Sequence, residues 1–237
     1  YETTHGKEIF DTLSEILKKE YDNLVDIHLL IGNPSFDNRD IDAIFIKPDA
    51  IILLEFKNYG GKITVAENGD WKCNEIIVKG GSGGKNPYQQ VKLNKTGLFK
   101  ILNLWFPRAD VNLSNISGIV LFQKPIEIVK SILPPAASTW FHVVDISKIS
   151  KKIAQITSRE IHYSNQDLLD LPVKLNLKDC IVYESNRDEA EINTLTGSDK
   201  PLIIPKSLKS IQKEIGKIGF KTVYHFPLPS RNEQTIN

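Results

Sequence analysis

Asp42, Glu55 and Lys57 are the residues of this sequence whose types and spacing can do chemistry together. Ile41 to Ile46 reads as a strand and Lys47-Pro48-Asp49-Ala50 as a turn. Ile51 to Lys57 reads as a second strand, apolar on both faces until Glu55. Closing the four turn residues into an antiparallel hairpin opposes Ile46 to Ile51, Ile44 to Leu53 and Asp42 to Glu55. Directly opposed side chains sit about 4.5–5.5 Å apart at Cβ, where like charges repel. Two carboxylates are then face to face at the end of an apolar surface, which is costly unless a proton or a cation lies between them. Lys57 points to the same face as Glu55. Two acids and a lysine converging at one strand end can hold a divalent metal and an activated water.

Taken singly, each residue reads as structural: Asp42 as a turn cap, Glu55 and Lys57 as a solvated edge. The register couples all three and favours a functional cluster. Asp49 lies in the turn, at the far end of the strand from Glu55, and reads as a turn residue.

The elements that must position this cluster follow from periodicity. Residues 5–20 carry Ile9, Leu13, Ile16 and Leu17 at helical spacing. Glu8 lies near the start of that helix, where a negative charge suits the dipole; alternatively it reaches the cluster as a third acid. A short strand IHLLI and the loop NPSFDNRD precede the hairpin, and KITV and DWKC follow it as strands joined by the turn AENG. Trp71 reads as a core or hairpin-packing aromatic. Asn86-Pro87 opens a helix running to about Trp105, with Asn as its cap and Pro at its first position. Val91, Leu98, Leu102 and Trp105 form its predicted buried stripe. Gln90 falls on a neighbouring stripe, where its amide needs a partner: the metal cluster, a DNA phosphate or a backbone carbonyl.

Residues 116–122 and 140–146 read as further strands, with a short helix from Ser147. The order predicts an α/β fold, a mixed sheet flanked by helices. KDCIVYE and PLIIP, a helix from Pro205 and FKTVYHF predict a small C-terminal α/β extension. The expected division is residues 1–165 as the main domain and 166–237 as that extension.

Composition narrows the function. The chain has 237 residues, 41% hydrophobic and 25% charged, ordinary for a globular protein. No apolar run approaches the roughly 20 residues that span a bilayer, so no membrane partner is expected. Cys73 and Cys180 supply neither a disulfide framework nor a metal-binding spacing, and a cytoplasmic location is the simplest expectation. With net charge +1, nucleic-acid affinity has to come from a local patch. Residues 72–100 hold one, from which Lys79, Lys85, Lys92 and Lys95 are the candidate contacts; the alternative is a solvated face. The glycine run ending in Gly84-Lys85 is not a phosphate loop, because position 79 is Lys and position 86 is Asn. The histidines show no ligand spacing, and no nucleophile elbow appears.

Asp42, then Glu55-Phe56-Lys57-Asn58-Tyr59-Gly60-Gly61, then Trp71 and Asn86-Pro87-Tyr88-Gln89-Gln90, resembles the nuclease-related domain (NERD) family. Gly118 to Phe122 resembles the strand that follows in that family, and Gly6-Lys7-Glu8 its first-helix G-E segment with one residue inserted. The resemblance covers about residues 5–150. It implies a restriction-endonuclease-like fold of the PD-(D/E)XK superfamily and a metal-dependent nuclease acting on DNA. By the same resemblance Asp42 and Glu55 would bind Mg²⁺ or Mn²⁺, and Glu8 would complete the shell. Lys57 would orient the attacking water, and Gln90 would support the site. A helicase or another DNA-processing protein is an implied partner. The rival expectation is a binding or scaffolding module that keeps the fold without catalysis.

Overall fold

The hairpin that carries the acidic pair is the middle of the structure. The computed structural model describes residues 4–183, apart from 22–23, 37–38, 82–83, 176 and 178–179. Its first half contains α1 (Thr4–Tyr21), β1 (His28–Gly32), β2 (Ser35–Phe36), β3 (Arg39–Asp40), β4 (Ala43–Lys47) and β5 (Ala50–Lys57). Next come β6 (Gly61–Ala66), β7 (Trp71–Cys73), β8 (Ile76–Val78) and α2 (Pro87–Trp105). The chain continues through β9 (Ser117–Phe122), β10 (Ile126–Ile132), β11 (Phe141–Asp145), α3 (Ile149–Gln155), α4 (Asn165–Lys174) and β12 (Cys180–Tyr183).

β4 and β5 pair antiparallel in the predicted register, Ile46 with Ile51 and Ile44 with Leu53. Lys47 also pairs with Ala50, so the turn tightens to Pro48-Asp49. One pair beyond Ala43 and Leu54, the register brings Asp42 level with Glu55. The hairpin lies inside a mixed sheet of order β11-β9-β5-β4-β1-β12. β9 runs parallel to both β5 and β11, whereas β1 is antiparallel to both β4 and β12.

Helices cover both faces of this sheet, which is why β1, β4 and β9 are buried at every position. Ile44, Ile46, Ile51 and Leu53 pack on Leu98 and Leu102 of α2 and on Leu168 and Leu171 of α4. Ala43, Phe45, Ile52 and Leu54 pack on Ile9, Leu13 and Leu17 of α1 and on Ile149 and Ile153 of α3. Each such side chain contributes about 1.5–3 kcal/mol on burial. The fold is thus the expected α/β arrangement of a mixed sheet flanked by helices. Among the described residues no helix is long and apolar enough to cross a membrane.

A second sheet, β10-β6-β7-β8, stands beside the first. One of its faces holds Ile63, Val65, Trp71, Cys73 and Val78 in a third core with Tyr88 and Val91 of α2. Trp71 is fully buried, and its Nε1–H donates to the carbonyl of Ala66 at 2.7 Å. Asn86 does more than cap α2. Its Oδ1 accepts from the Gln89 N–H, while its Nδ2 donates to the carbonyls of Ala66, Glu67 and Gly69, gripping the β6–β7 turn.

The structure differs from the sequence reading at several points. β8 follows β7 through a tight turn in which Asn74 takes φ +53°, a conformation Asn tolerates well. β10 is exposed along almost its whole length, and a register shift between Ile128 and Lys130 interrupts its alternation. Trp105 is 58% exposed rather than buried; Phe106, four residues after Leu102, takes the core position at 3%. The described part of 166–237 joins the main sheet and core: β12 pairs with β1, and α4 buries Leu168 and Leu171. PLIIP, the helix from Pro205 and FKTVYHF lie outside the described residues.

Candidate active site

β5 delivers Glu55 and Lys57 to one face at its C-terminal end, two residues apart. Lys57 Nζ donates to Glu55 Oε1 at 2.7 Å. Both side chains are largely shielded, 8% exposed for Glu55 and 11% for Lys57. Asp42 arrives from the opposite strand, just before β4 begins. Its Oδ2 accepts the Phe56 N–H at 2.6 Å, and its own carbonyl accepts the Asn33 N–H at 3.0 Å. The side chain is therefore fixed by the backbone of the strand that carries Glu55 and Lys57.

The electrostatics are unbalanced. Burial, and next the Glu55 carboxylate, push the Asp42 carboxyl up to about 7, against the pull of the Phe56 N–H and the Lys57 ammonium. One lysine does not neutralise two buried acids, and near neutral pH a proton makes up part of the difference. A hard cation is the alternative occupant, since its preferred ligands are carboxylate and carbonyl oxygens. Asn58, which lines the same cleft as Asp42, has a buried Oδ1 without a hydrogen-bond partner, one more oxygen of the right kind. The donor set fits a divalent metal, with Asp42 and Glu55 as the residues that would hold it.

Asp42 and Lys57 open into a cleft of about 680 Å³. Phe56, Asn58 and Tyr59 line it from the same strand end, and Ile77, Lys79 and Gly80 from β8 and the segment after it. The wall contributed by α1 is His5, Gly6 and Ile9. Glu8 is not in it. That carboxylate is 53% exposed and faces His5 Nδ1 at 3.5 Å. Among the described residues no three His, Cys, Asp or Glu side chains are grouped to hold a metal, so Glu8 does not complete a shell here. Helix phase explains the difference. Ile9, Leu13 and Leu17 define the inner stripe, and four residues back from Ile9 is His5, whereas Glu8 is turned by about 100°. Extending that stripe backwards would have found His5 in the sequence.

Gln90 is half-buried but outside the cleft lining. Its Nε2 donates to Asn94 Oδ1 at 3.3 Å, and Asn94 donates in turn to the carbonyl of Asp40 at 3.4 Å. A Cβ on Gly81 would come within 3.1 Å of the Gln90 amide, so the glycine loop packs on that side chain closely because it lacks one of its own. Of the four lysines expected at nucleic acid, Lys79 lines the cleft, Lys92 is exposed and Lys85 is half-buried. Lys95 is turned inward. Its Nζ donates to the carbonyls of Ser114 and Ile116, both at 2.7 Å, and lies 4.6 Å from the Trp140 ring centroid. Asp49 sits in the hairpin turn, 3.1 Å from Lys47 Nζ.

A mixed sheet with paired carboxylates and a lysine at one strand end defines a restriction-endonuclease-like domain. The chain matches the family model of the nuclease-related domain over residues 3–123 and belongs to that family, whose general assignment is the PD-(D/E)XK superfamily. No curated protein and no solved structure matches it. Membership makes the chain nuclease-related, in a class that typically uses divalent metals.

Proposed function

We propose that this protein is a divalent-metal-dependent nuclease that hydrolyses DNA phosphodiester bonds, in DNA processing or defence. The observation that carries the reading is the ion-paired Glu55–Lys57 beside a carboxyl pushed up to about 7, with Asp42 and Lys57 lining a cleft of about 680 Å³. Asp42 and Glu55 would hold Mg²⁺ or Mn²⁺. When bound, such an ion supplies Lewis acidity toward the phosphate and lowers the pKa of water.

The chain's own residues do the rest. The Phe56 N–H holds the Asp42 carboxylate in one orientation at the cleft wall. Glu55 holds Lys57, whose compact charge stabilises the extra negative charge on a phosphate under attack. Phe56 and Tyr59 line the cleft beside Asp42 and Lys57 and supply its apolar wall. His5 places an imidazole on the α1 wall, oriented by Glu8 behind it.

The test is incubation with supercoiled and linear DNA in Mg²⁺ or Mn²⁺, alongside Asp42→Ala, Lys57→Ala and Asp49→Ala. The proposal expects cleavage lost in the first two and kept in the third. A second reading, a binding module on a nuclease fold, draws on the lack of a three-residue metal group among the described residues. Clean DNA binding with no cleavage under either metal would favour it.

A further inference from the structure

The second sheet has a buried face and an open one. Along β6, Ile63 and Val65 point inward while Lys62 and Thr64 point out. β7 buries Trp71 and Cys73 and exposes Lys72; β8 buries Val78 and exposes Ile77. The register then places four outward side chains in one row. Lys130 pairs with Thr64, Thr64 with Lys72, and Lys72 with Ile77. At the usual strand spacing that row spans about 14 Å. Lys62 lies beside it, opposite Glu127, the acid that shares the face.

The row leads somewhere. Ile77, at its end, lines the same cleft as Asp42 and Lys57, followed by Lys79 and Gly80. We propose that this face is the track on which a DNA backbone runs into the cleft, its phosphates on Lys130, Lys72 and Lys62 and a sugar or base against Ile77. The inference rests on the nucleic-acid reading above and specifies where that ligand lies.

Three observations separate this surface from an ordinary solvated sheet face. Lys62, Lys72, Lys79 and Lys130 form no ion pair with the described residues, so their charge is available to a polyanion. Ile77 is 44% exposed and lines the cleft, where an apolar side chain can meet a sugar or base. The rival basic element, α2, is weaker than its sequence suggests, because Lys95 is turned into the protein.

The experiment is binding of a fluorescently labelled DNA duplex across a salt series in EDTA, without turnover. The wild-type protein is compared with Lys62→Gln/Lys72→Gln/Lys130→Gln and with Lys92→Gln/Lys100→Gln on α2. Each phosphate contact contributes about −0.9 to the slope of log affinity against log salt. The triple variant is expected to flatten that slope by about 2.7 and to bind more than tenfold weaker at about 0.1 M salt. The α2 pair should leave the slope within about 0.5 of wild type. A triple variant with the wild-type slope, or a wild-type protein that does not bind, overturns the track. Cleavage is read separately. If it is absent while the slope falls as expected, the nuclease reading fails and the track stands. Cleavage with an unaltered slope gives the reverse.

Discussion

The two ends of the β4–β5 hairpin carry similar residues and do different work. At the turn end, Lys47 and Asp49 form one pair, one base to one acid. The carbonyls of Pro48 and Asp49 accept the N–H groups of Tyr163 and Ser158, both at 2.8 Å. Nearby, Arg108 also faces two acids, Asp110 and Asp167, but it ion-pairs with both, and both carboxyls are lowered rather than raised. At the open end there are two acids to one lysine, one carboxyl sits near 7, and Asn58 Oδ1 has no partner. The two ends therefore differ in how their carboxyls are held, lowered beside Arg108 at the turn end and raised at Asp42 at the open end, which is the difference the proposed metal would exploit.

The largest effect that can break this comparison is on turnover. Lys57→Ala should lower the cleavage rate by about 10³-fold or more, the scale of removing one preorganised stabiliser from a reacting centre. Asp49→Ala should stay within about threefold in cleavage rate, since the turn lies at the far end of the strand from the cleft; its cost falls on stability, because Lys47 is left buried without its partner. Equal losses at both ends, in single-turnover rates, would mean that the charge imbalance has no functional content.

The next effect is on stability against pH in EDTA. Asp42 has its folded pKa raised from 3.8 to about 7, so the folded state holds a proton that the unfolded chain has already released. The stabilisation this gives is fully present below about 3.8 and is lost as pH rises through about 7. A shift of that size corresponds to roughly 4 kcal/mol. Denaturation midpoints should therefore fall from about pH 5 to about pH 8 in the wild type, and Asp42→Asn should flatten the profile. Added Mn²⁺ should restore the high-pH midpoint of the wild type and leave that of Asp42→Asn unmoved. A wild-type midpoint that rises with pH would contradict the crowding of Asp42 by burial and Glu55.

The turn end gives a smaller, purely structural effect. Ser164 caps α4, its Oγ accepting the Asp167 N–H at 3.2 Å while Asp167 Oδ2 accepts the Ser164 N–H at 2.9 Å. Ser164→Ala should cost about 1 kcal/mol in chemical denaturation. Cleavage should be unchanged, because α4 supports the sheet at the far end from the cleft.

Much of the open end was legible in the sequence. A proline-containing turn between two apolar runs left one register that buried both faces, and that register put Asp42 opposite Glu55. Asn86-Pro87 marked the helix start to the residue, because a cap and a first-turn proline admit little freedom. Where the reading failed, the signal was weak or the phase was off. β10 is rich in β-branched residues, but a register shift between Ile128 and Lys130 breaks its alternation and Ile128, Val129 and Ile132 stay exposed. α4 carries Pro172 inside it, a residue that ordinarily argues against a helix. Lys95 looked like its exposed neighbours, and only the three-dimensional positions of the Ser114 and Ile116 carbonyls turn it inward. Glu8 belongs to a motif one residue out of step with the family's, whereas the helix stripe runs back from Ile9 to His5.

The same question of phase sets the smallest prediction. Leu98 and Leu102 continue, by another step of four, to Phe106, which is buried to 3% and closes α2 by donating its N–H to the carbonyl of Leu102 at 2.9 Å. Trp105 is turned a step away and is 58% exposed. Trp105→Ala should then change stability by no more than about 0.5 kcal/mol, as for a surface site, while Phe106→Ala leaves a core void beside Tyr163, whose ring lies 6.0 Å away. Denaturation midpoints of the two variants settle which aromatic belongs to the core. If Trp105→Ala were the costlier of the two, the stripe would run through position 105. α2 would then be rotated by about 100° on the sheet. Gln90, Asn94 and Lys95 would turn with it, altering which of them meets the cleft.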